Sequence, residues 1–176
     1  MPHHKRLTLI LALAVTLAAA MPGCGKAKEE ITEKAIEASI NAGDKNVNVE
    51  LGGKEGQFNM TAKTEEGTVN MSVGENAQLP KDWPQDVPIY TGLKVQVAQS
   101  MAEQGNFTVS GTIEAAVAKV SEFYKAETQK QGWTPMQTFT QPGMESSVYQ
   151  KGDRMVTISM TGEGETTTLT LNTGKQ

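Results

Sequence analysis

Three short runs alternate apolar and polar residues with a period of two: Val47, Val49 and Leu51, then Phe58, Met60 and Ala62, then Val69, Met71 and Val73. Glycine-bearing loops separate them, so they predict a three-stranded antiparallel meander. With loops over 52–57 and 63–68, the expected register sets Leu51, Phe58 and Val73 in one row. Val49, Met60 and Met71 form the next row, and Val47, Ala62 and Val69 the third. All these side chains then share one face, as a buried face requires. Such a meander is marginal alone. Its expected cover is either the following domain or a preceding helix over about 28–42, where Ile31, Ala35, Ala38 and Ala42 recur at helical spacing.

The pattern changes after the meander. Leu79 to Tyr90 holds Pro80, Pro84 and Pro88, each of which fixes φ and biases the residue before it to extended geometry. This predicts a semi-rigid strap anchored through Trp83, Ile89 and Tyr90. Lys94–Ser100 and Asn106–Gly111 read as strands. Thr112 can cap a helix from Ile113 to Gln131, with Ile113, Val117, Val120 and Tyr124 as its stripe and Gly132 as its stop. Trp133–Thr140 is an expected edge strand because of Pro135. Ser146–Lys151 and Arg154–Thr161 flank Gly152-Asp153, a two-residue hairpin signal. A turn over Gly162-Glu163-Gly164-Glu165 leads into Thr166–Asn172. In that register Met160 faces Thr167, Ile158 faces Leu169, Val156 faces Leu171, and Tyr149 faces Val156.

The expected fold class is therefore α+β, a helix-plus-antiparallel-meander module followed by a β-β-α-β-β-β two-layer domain. The expected divisions are a leader over 1–23, an anchor and polar spacer over 24–30, the first module over 31–76, a proline-rich connector over 77–92 and the second domain over 93–176.

The leader is a pattern of its own. Lys5 and Arg6 precede Leu7–Ala20, an uncharged run that would span about 21 Å as a helix, short of the roughly 30 Å hydrocarbon core. That is the layout of a secretory signal peptide rather than of a transmembrane helix. It closes on Met21-Pro22-Gly23-Cys24, which holds the chain's one cysteine. This tetrapeptide resembles the lipobox of bacterial lipoproteins, with Pro22 standing where that family more often has Ala, Ser or Thr. The resemblance implies cleavage between Gly23 and Cys24, a diacylglycerol thioether on Cys24, and acylation of the freed amine. Two or more acyl chains hold a protein stably at a bilayer where one does not. The implied location is the cell envelope, lipid-anchored, and the periplasmic side of the outer membrane in a Gram-negative host. The competing reading is cleavage after Ala18-Ala19-Ala20, which releases a soluble protein with a free thiol. Beyond the leader, Asp82 to Tyr90, Phe123-Tyr124, Gly132-Trp133 and Lys151-Gly152-Asp153-Arg154 resemble uncharacterised exported bacterial proteins over about 79–172, a resemblance that brings no activity with it.

Charge narrows the partners. Of the 16 basic side chains, Lys5 and Arg6 lie before Cys24, which leaves 14 against 20 acidic ones. Acidic residues interrupt the basic ones throughout, so no stripe tracks phosphates and nucleic acid is not an expected partner. The expected partners are the bilayer, through acylated Cys24, and an envelope protein.

Candidate chemistry is sparse. His3 and His4 are the histidines of the chain, and both precede the cleavage site. A mature chain with lipidated Cys24 has neither imidazole nor thiol, so Ser-His-Asp and Cys-His triads and the usual zinc sites are excluded. Asp82 and Asp86 in the strap, and Glu163 and Glu165 in a glycine turn, are the carboxylates that stand near one another in sequence. The patterns point to no catalytic residue, no metal and no cofactor. The leading expectation is a non-enzymatic binding or structural module on a membrane anchor. The alternatives are a carboxylate-dependent hydrolase and a periplasmic carrier of an apolar ligand or metal.

Overall fold

The computed structural model describes residues 48–52, 56–64, 67–75 and 77–175, all within the compact unit Glu37–Gln176. The leader, Gly23, Cys24 and the helix expected over 28–42 lie outside the described residues. The elements in order are β1 (Asn48–Gly52), β2 (Gln57–Thr64), β3 (Gly67–Gly74), β4 (Lys94–Met101), β5 (Asn106–Ile113), α1 (Val117–Lys130), β6 (Thr134–Gln141), β7 (Met144–Lys151), β8 (Arg154–Glu163) and β9 (Thr166–Lys175). A single turn of 3₁₀ helix, Ala102–Gln104, joins β4 to β5.

The expected α+β pair of modules is overturned. All nine strands form one antiparallel sheet in the order β1-β2-β3-β4-β5-β9-β8-β7-β6, with one described helix, so the architecture is mostly β. The join is the pairing of β3 with β4, from Val69↔Met101 to Val73↔Val97, across the proline-bearing segment. An unpaired edge on β3 would have left its N–H and C=O groups without partners, and β4 satisfies them.

Registers follow turn lengths. β2 and β3 pair as expected, with Phe58↔Val73, Met60↔Met71 and Ala62↔Val69. β1 sits two residues from its expected place, with Val49↔Ala62 and Leu51↔Met60. β9 does the same against β8: Met160 faces Leu169, Ile158 faces Leu171 and Val156 faces Thr173, because the strands continue to Glu163 and Thr166 and leave only Gly164-Glu165 to turn. A slip of two keeps each side chain on its face, whereas a slip of one would invert them all.

The apolar surface changes sides within this continuous sheet. Directly paired residues share a face. One row runs Thr61, Asn70, Ser100, Phe107, Thr173, Val156 and Tyr149. Its β2–β3 members are polar and its β5–β9 members mostly apolar. The neighbouring row, on the opposite face, runs Ala62, Val69, Met101 and Asn106. The cluster of Met60, Ala62 and Val69 thus lies on the side of the sheet away from the main core. The crossover strand is β4, whose Ala98 and Ser100 are small and buried on one side while Val97 and Met101 face the other. A β-bulge between Val95 and Val97 falls where Gly111 lies against Lys94, and a Cβ on Gly111 would come 2.2 Å from the Lys94 carbonyl oxygen.

Helix α1 is shorter than expected at its start. Ile113 is buried, but as the last residue of β5, paired with Thr167, and Ala116 rather than Thr112 precedes the helix without a side-chain cap. The buried stripe is Val120, Ser121, Tyr124 and Thr128. The end is as expected: Gly132 takes φ 79°, its N–H donates to Gln129, and the Trp133 N–H donates to Thr128 at 2.9 Å. That is a Schellman motif, which favours an apolar residue directly after the glycine. Among the described residues no helix is long and apolar enough to cross a membrane.

Candidate functional site

The main core lies on one face of β5, β9, β8 and β7 and has two covers. Helix α1 supplies Val117, Val120, Phe123 and Tyr124; the strap over 77–93 supplies Trp83, Val87, Ile89 and Tyr90. The strap is a chain of four turns, with N–H to C=O bonds from Ala77 to Gly74, Trp83 to Pro80, Val87 to Pro84 and Leu93 to Tyr90. Prolines that cannot donate to a sheet ladder are well placed in such a path. Trp83, Ile89 and Tyr90 pack against the core as expected, and fully buried Val87 is a further anchor.

The strap meets the helix through aromatic edges. Tyr90 and Phe123 stand at 4.9 Å and 70°, and Phe123 and Tyr124 at 5.1 Å and 87°, both edge-to-face arrangements. The Tyr90 N–H donates to the Tyr124 hydroxyl at 3.3 Å, and burial pushes the Tyr124 pKa far up, so this phenol stays neutral.

At its middle the strap is fastened to the β7–β8 hairpin. The Schellman turn aims Trp133 inward, where it is 3% exposed and its indole N–H donates to the Asp86 carbonyl at 2.7 Å. The Asp86 carboxylate accepts from Lys151 at 2.7 Å and from Arg154. These two cations flank the Gly152-Asp153 turn, which brings them to one side. The Arg154 guanidinium lies 5.1 Å from the centre of the Trp133 ring. Desolvation works to raise the Asp86 pKa, but the hydrogen bonds and charges of Arg154 and Lys151 outweigh it and hold the carboxyl below its usual range. Asp86, one of the sequence-level carboxylates, is thus committed to a fastening. Asp82, Glu163 and Glu165 are exposed and do not join it. Among the described residues no three of His, Cys, Asp and Glu come together as metal ligands would.

Beside this fastening lies an anomaly. Trp83 contacts Phe107 edge-on at 6.0 Å. Thr173 is directly paired with Phe107 on the same face, 5% exposed, and its hydroxyl is buried with no hydrogen-bond partner. Buried polar atoms are paired in the great majority of cases, and an unpaired one costs roughly 1–3 kcal/mol. The apolar alternation of β9 stops at Leu171, so the sequence predicts a strand end at Asn172 and carries no signal that Thr173 continues it facing the core.

A second polar group sits under α1. Glu145, 7% exposed, accepts from the Ser121 hydroxyl at 2.6 Å and from Ser147 at 3.4 Å, with Lys125 Nζ at 3.3 Å. It ties the helix to β7. The variant Glu145→Gln keeps a carbonyl for Ser121 but loses the charge facing Lys125, so a loss of about 1 kcal/mol is expected in urea unfolding. The exposed control Glu122→Gln should change little.

Among the described residues, a helix and a strap thus lie over one apolar face of the sheet, and the Thr173 hydroxyl is buried without a partner. Residues 93–168, which run from the end of the strap into β9, match a family model described as START domain-like; the match favours a ligand-binding module and covers under half of the chain. No curated protein and no solved structure matches the chain.

Proposed function

We propose that the protein is an envelope lipoprotein, anchored through acylated Cys24, whose sheet domain carries a small amphiphile with an apolar body and one hydrogen-bonding group. The ligand's apolar part lies between strap and sheet beside Trp83 and Phe107, and its polar group meets the Thr173 hydroxyl. The carrying observation is that hydroxyl, buried without a partner on the residue paired with Phe107, which Trp83 of the strap contacts. The START domain-like match over 93–168 supports the ligand-binding part of this reading. An apolar interior with few polar groups suits such a ligand, because the polar contacts fix orientation while burial supplies affinity.

Thr173→Val preserves the side-chain shape and removes the hydroxyl. Without ligand the variant is expected to be more stable than wild type by about 1 kcal/mol in urea, since it deletes an unpaired buried polar group. With a long-chain fatty alcohol as probe, followed by tryptophan fluorescence, binding should weaken about fivefold, the equivalent of one neutral hydrogen bond. Equal affinity in the two proteins, or no binding of alcohols, acids or amides of any chain length by wild type, would sink the carrier reading.

The anchor has its own test. Labelled palmitate should enter the full chain in a bacterial host and be absent from Cys24→Ala; equal labelling of both removes the lipid attachment.

A further inference from the structure

β6 ends the sheet, and every residue from Thr134 to Gln141 is exposed. Its sequence, TPMQTFTQ, has no charged residue. It carries Met136 and Phe139, which are 58% and 47% exposed, two of the three large apolar side chains exposed among the described residues. Edge strands ordinarily repel further pairing with Lys, Glu, Pro or a bulge. Here Pro135 and the bulge between Pro135 and Gln137 protect only the first half of the strand. The second half, Gln137–Gln141, is regular, uncharged and open.

We propose that this half-strand pairs with the same half-strand of a second copy of the chain, antiparallel about a two-fold axis at Phe139. Backbone geometry selects the register. β6 and β7 close on Gln141↔Met144 with Pro142-Gly143 between, so Gln141 and Met144 form a hydrogen-bonded pair. Alternation then turns the N–H and C=O groups of Phe139 inward to β7 and those of Thr138 and Thr140 outward. Outward groups must meet outward groups, so Thr138 bonds Thr140 of the second copy, twice over. Phe139 then stands opposite its own symmetry mate in a non-hydrogen-bonded pair, the closer kind, with Cα atoms about 4.5 Å apart. Gln137 meets Gln141.

The occupant follows from self-complementarity. In this register only the residue on the axis, Phe139, meets its own copy, and a charged residue elsewhere in the segment would need an opposite charge at the position it faces. None is present. Phe139 shares its face with Ser146 and Ser159, the side away from α1 and the strap, so the helix and strap do not obstruct the continued sheet. The surface is distinct from the proposed ligand site, and either proposal can fail without the other.

The test is made on the full chain carrying Cys24→Ala, so that the only thiol is the one introduced. Sedimentation equilibrium should show a concentration-dependent dimer. Thr140→Pro removes an outward N–H while leaving the β6–β7 bonds intact, and Phe139→Lys sets two ammonium groups face to face; each should weaken the dimer at least tenfold. Phe139→Cys should form a disulfide-linked dimer on mild oxidation, because the paired Cα atoms fall within the roughly 4.4–6.8 Å that a disulfide spans, and Thr134→Cys should not. The disulfide result keeps the test decisive if either disruptive variant fails to fold. A wild-type protein that stays monomeric up to its solubility limit, a dimer untouched by both disruptive variants, or crosslinking through Thr134→Cys in preference to Phe139→Cys overturns the proposal, including the case in which the edge takes a strand from another protein instead.

Discussion

Replacing Trp133 by alanine is expected to destabilise the fold by about 3–5 kcal/mol, read as a lower urea midpoint with unchanged slope in far-ultraviolet circular dichroism. Three losses coincide. The indole is almost wholly buried, so its removal forfeits transfer free energy and leaves a cavity that the surrounding strands can close only in part. Its N–H satisfies the Asp86 carbonyl, and that acceptor is left unpaired in the variant. Its ring is also the platform for Arg154. Trp133→Phe separates the contributions, since it retains most of the apolar volume and discards the donor; a loss of about 1–2 kcal/mol is expected there. Equal losses for the two variants would mean that the hydrogen bond to the strap, rather than packing, dominates. A loss under about 1 kcal/mol for the alanine variant would contradict the central place given to this side chain.

Trp133 also shows what could be read from the sequence and what could not. Gly132 after an amphipathic run marks a helix end, and that expectation holds to the residue. The pattern that follows places Trp133 at the start of an edge strand, because periodicity carries no information about a Schellman turn that redirects the chain inward. The hairpin at Gly152-Asp153 was legible for the converse reason: a two-residue turn fixes register locally. The sequence predicts a four-residue turn over Gly162–Glu165, whereas the structure turns on Gly164-Glu165 alone, so the pairing moves by two while each side chain keeps its face. Hydrophobic alternation determines which side of a sheet a residue takes, and turn length determines its partner. Neither reports which strands meet across a long connection. The strap was legible as a packed proline-rich segment with Trp83, Ile89 and Tyr90 as anchors, but its prolines suggested a boundary between two domains. Instead β3 and β4 pair across it, and the apolar surface changes sides at β4, where Ala98 and Ser100 are small enough to be buried beside a neighbour of opposite facing. Within the candidate site, Asp86 was visible as a carboxylate and Lys151 and Arg154 as residues flanking a turn. Their meeting depends on sequence separations of 65 and 68, which no local pattern encodes.

Asp86→Ala is the second large expected effect, about 2–3 kcal/mol at neutral pH and low salt, on the scale of hydrogen bonds to charged groups with a discount for partial exposure. The carboxylate offsets two cations that the hairpin holds side by side, so its removal costs the bonds and leaves Lys151 and Arg154 repelling each other. Asp86→Asn keeps an acceptor but no charge, and should fall between the variant and wild type. The pH dependence has a definite sign. Arg154 and Lys151 depress the folded-state pKa below the ordinary 3.8, so the stabilisation is fully present above that value and is lost as the pH falls through the folded-state pKa. The gap between wild type and Asp86→Ala should therefore be constant from neutral pH down to about 4 and close below it. Added salt should narrow it at neutral pH, because both cations are partly solvated. The backbone fastening is untouched by this substitution, since Trp133 bonds the carbonyl and not the carboxylate. Amide exchange should consequently quicken at Val87, at the centre of the strap, well before the sheet ladders respond. If the ligand enters by displacement of the strap, the same variant binds faster without a matching gain in affinity of the closed form, whereas Thr173→Val changes affinity and leaves the strap's exchange alone. A variant whose stability gap persists unchanged far below pH 3.8 would show that the Asp86 carboxylate is not the charge that fastens the strap.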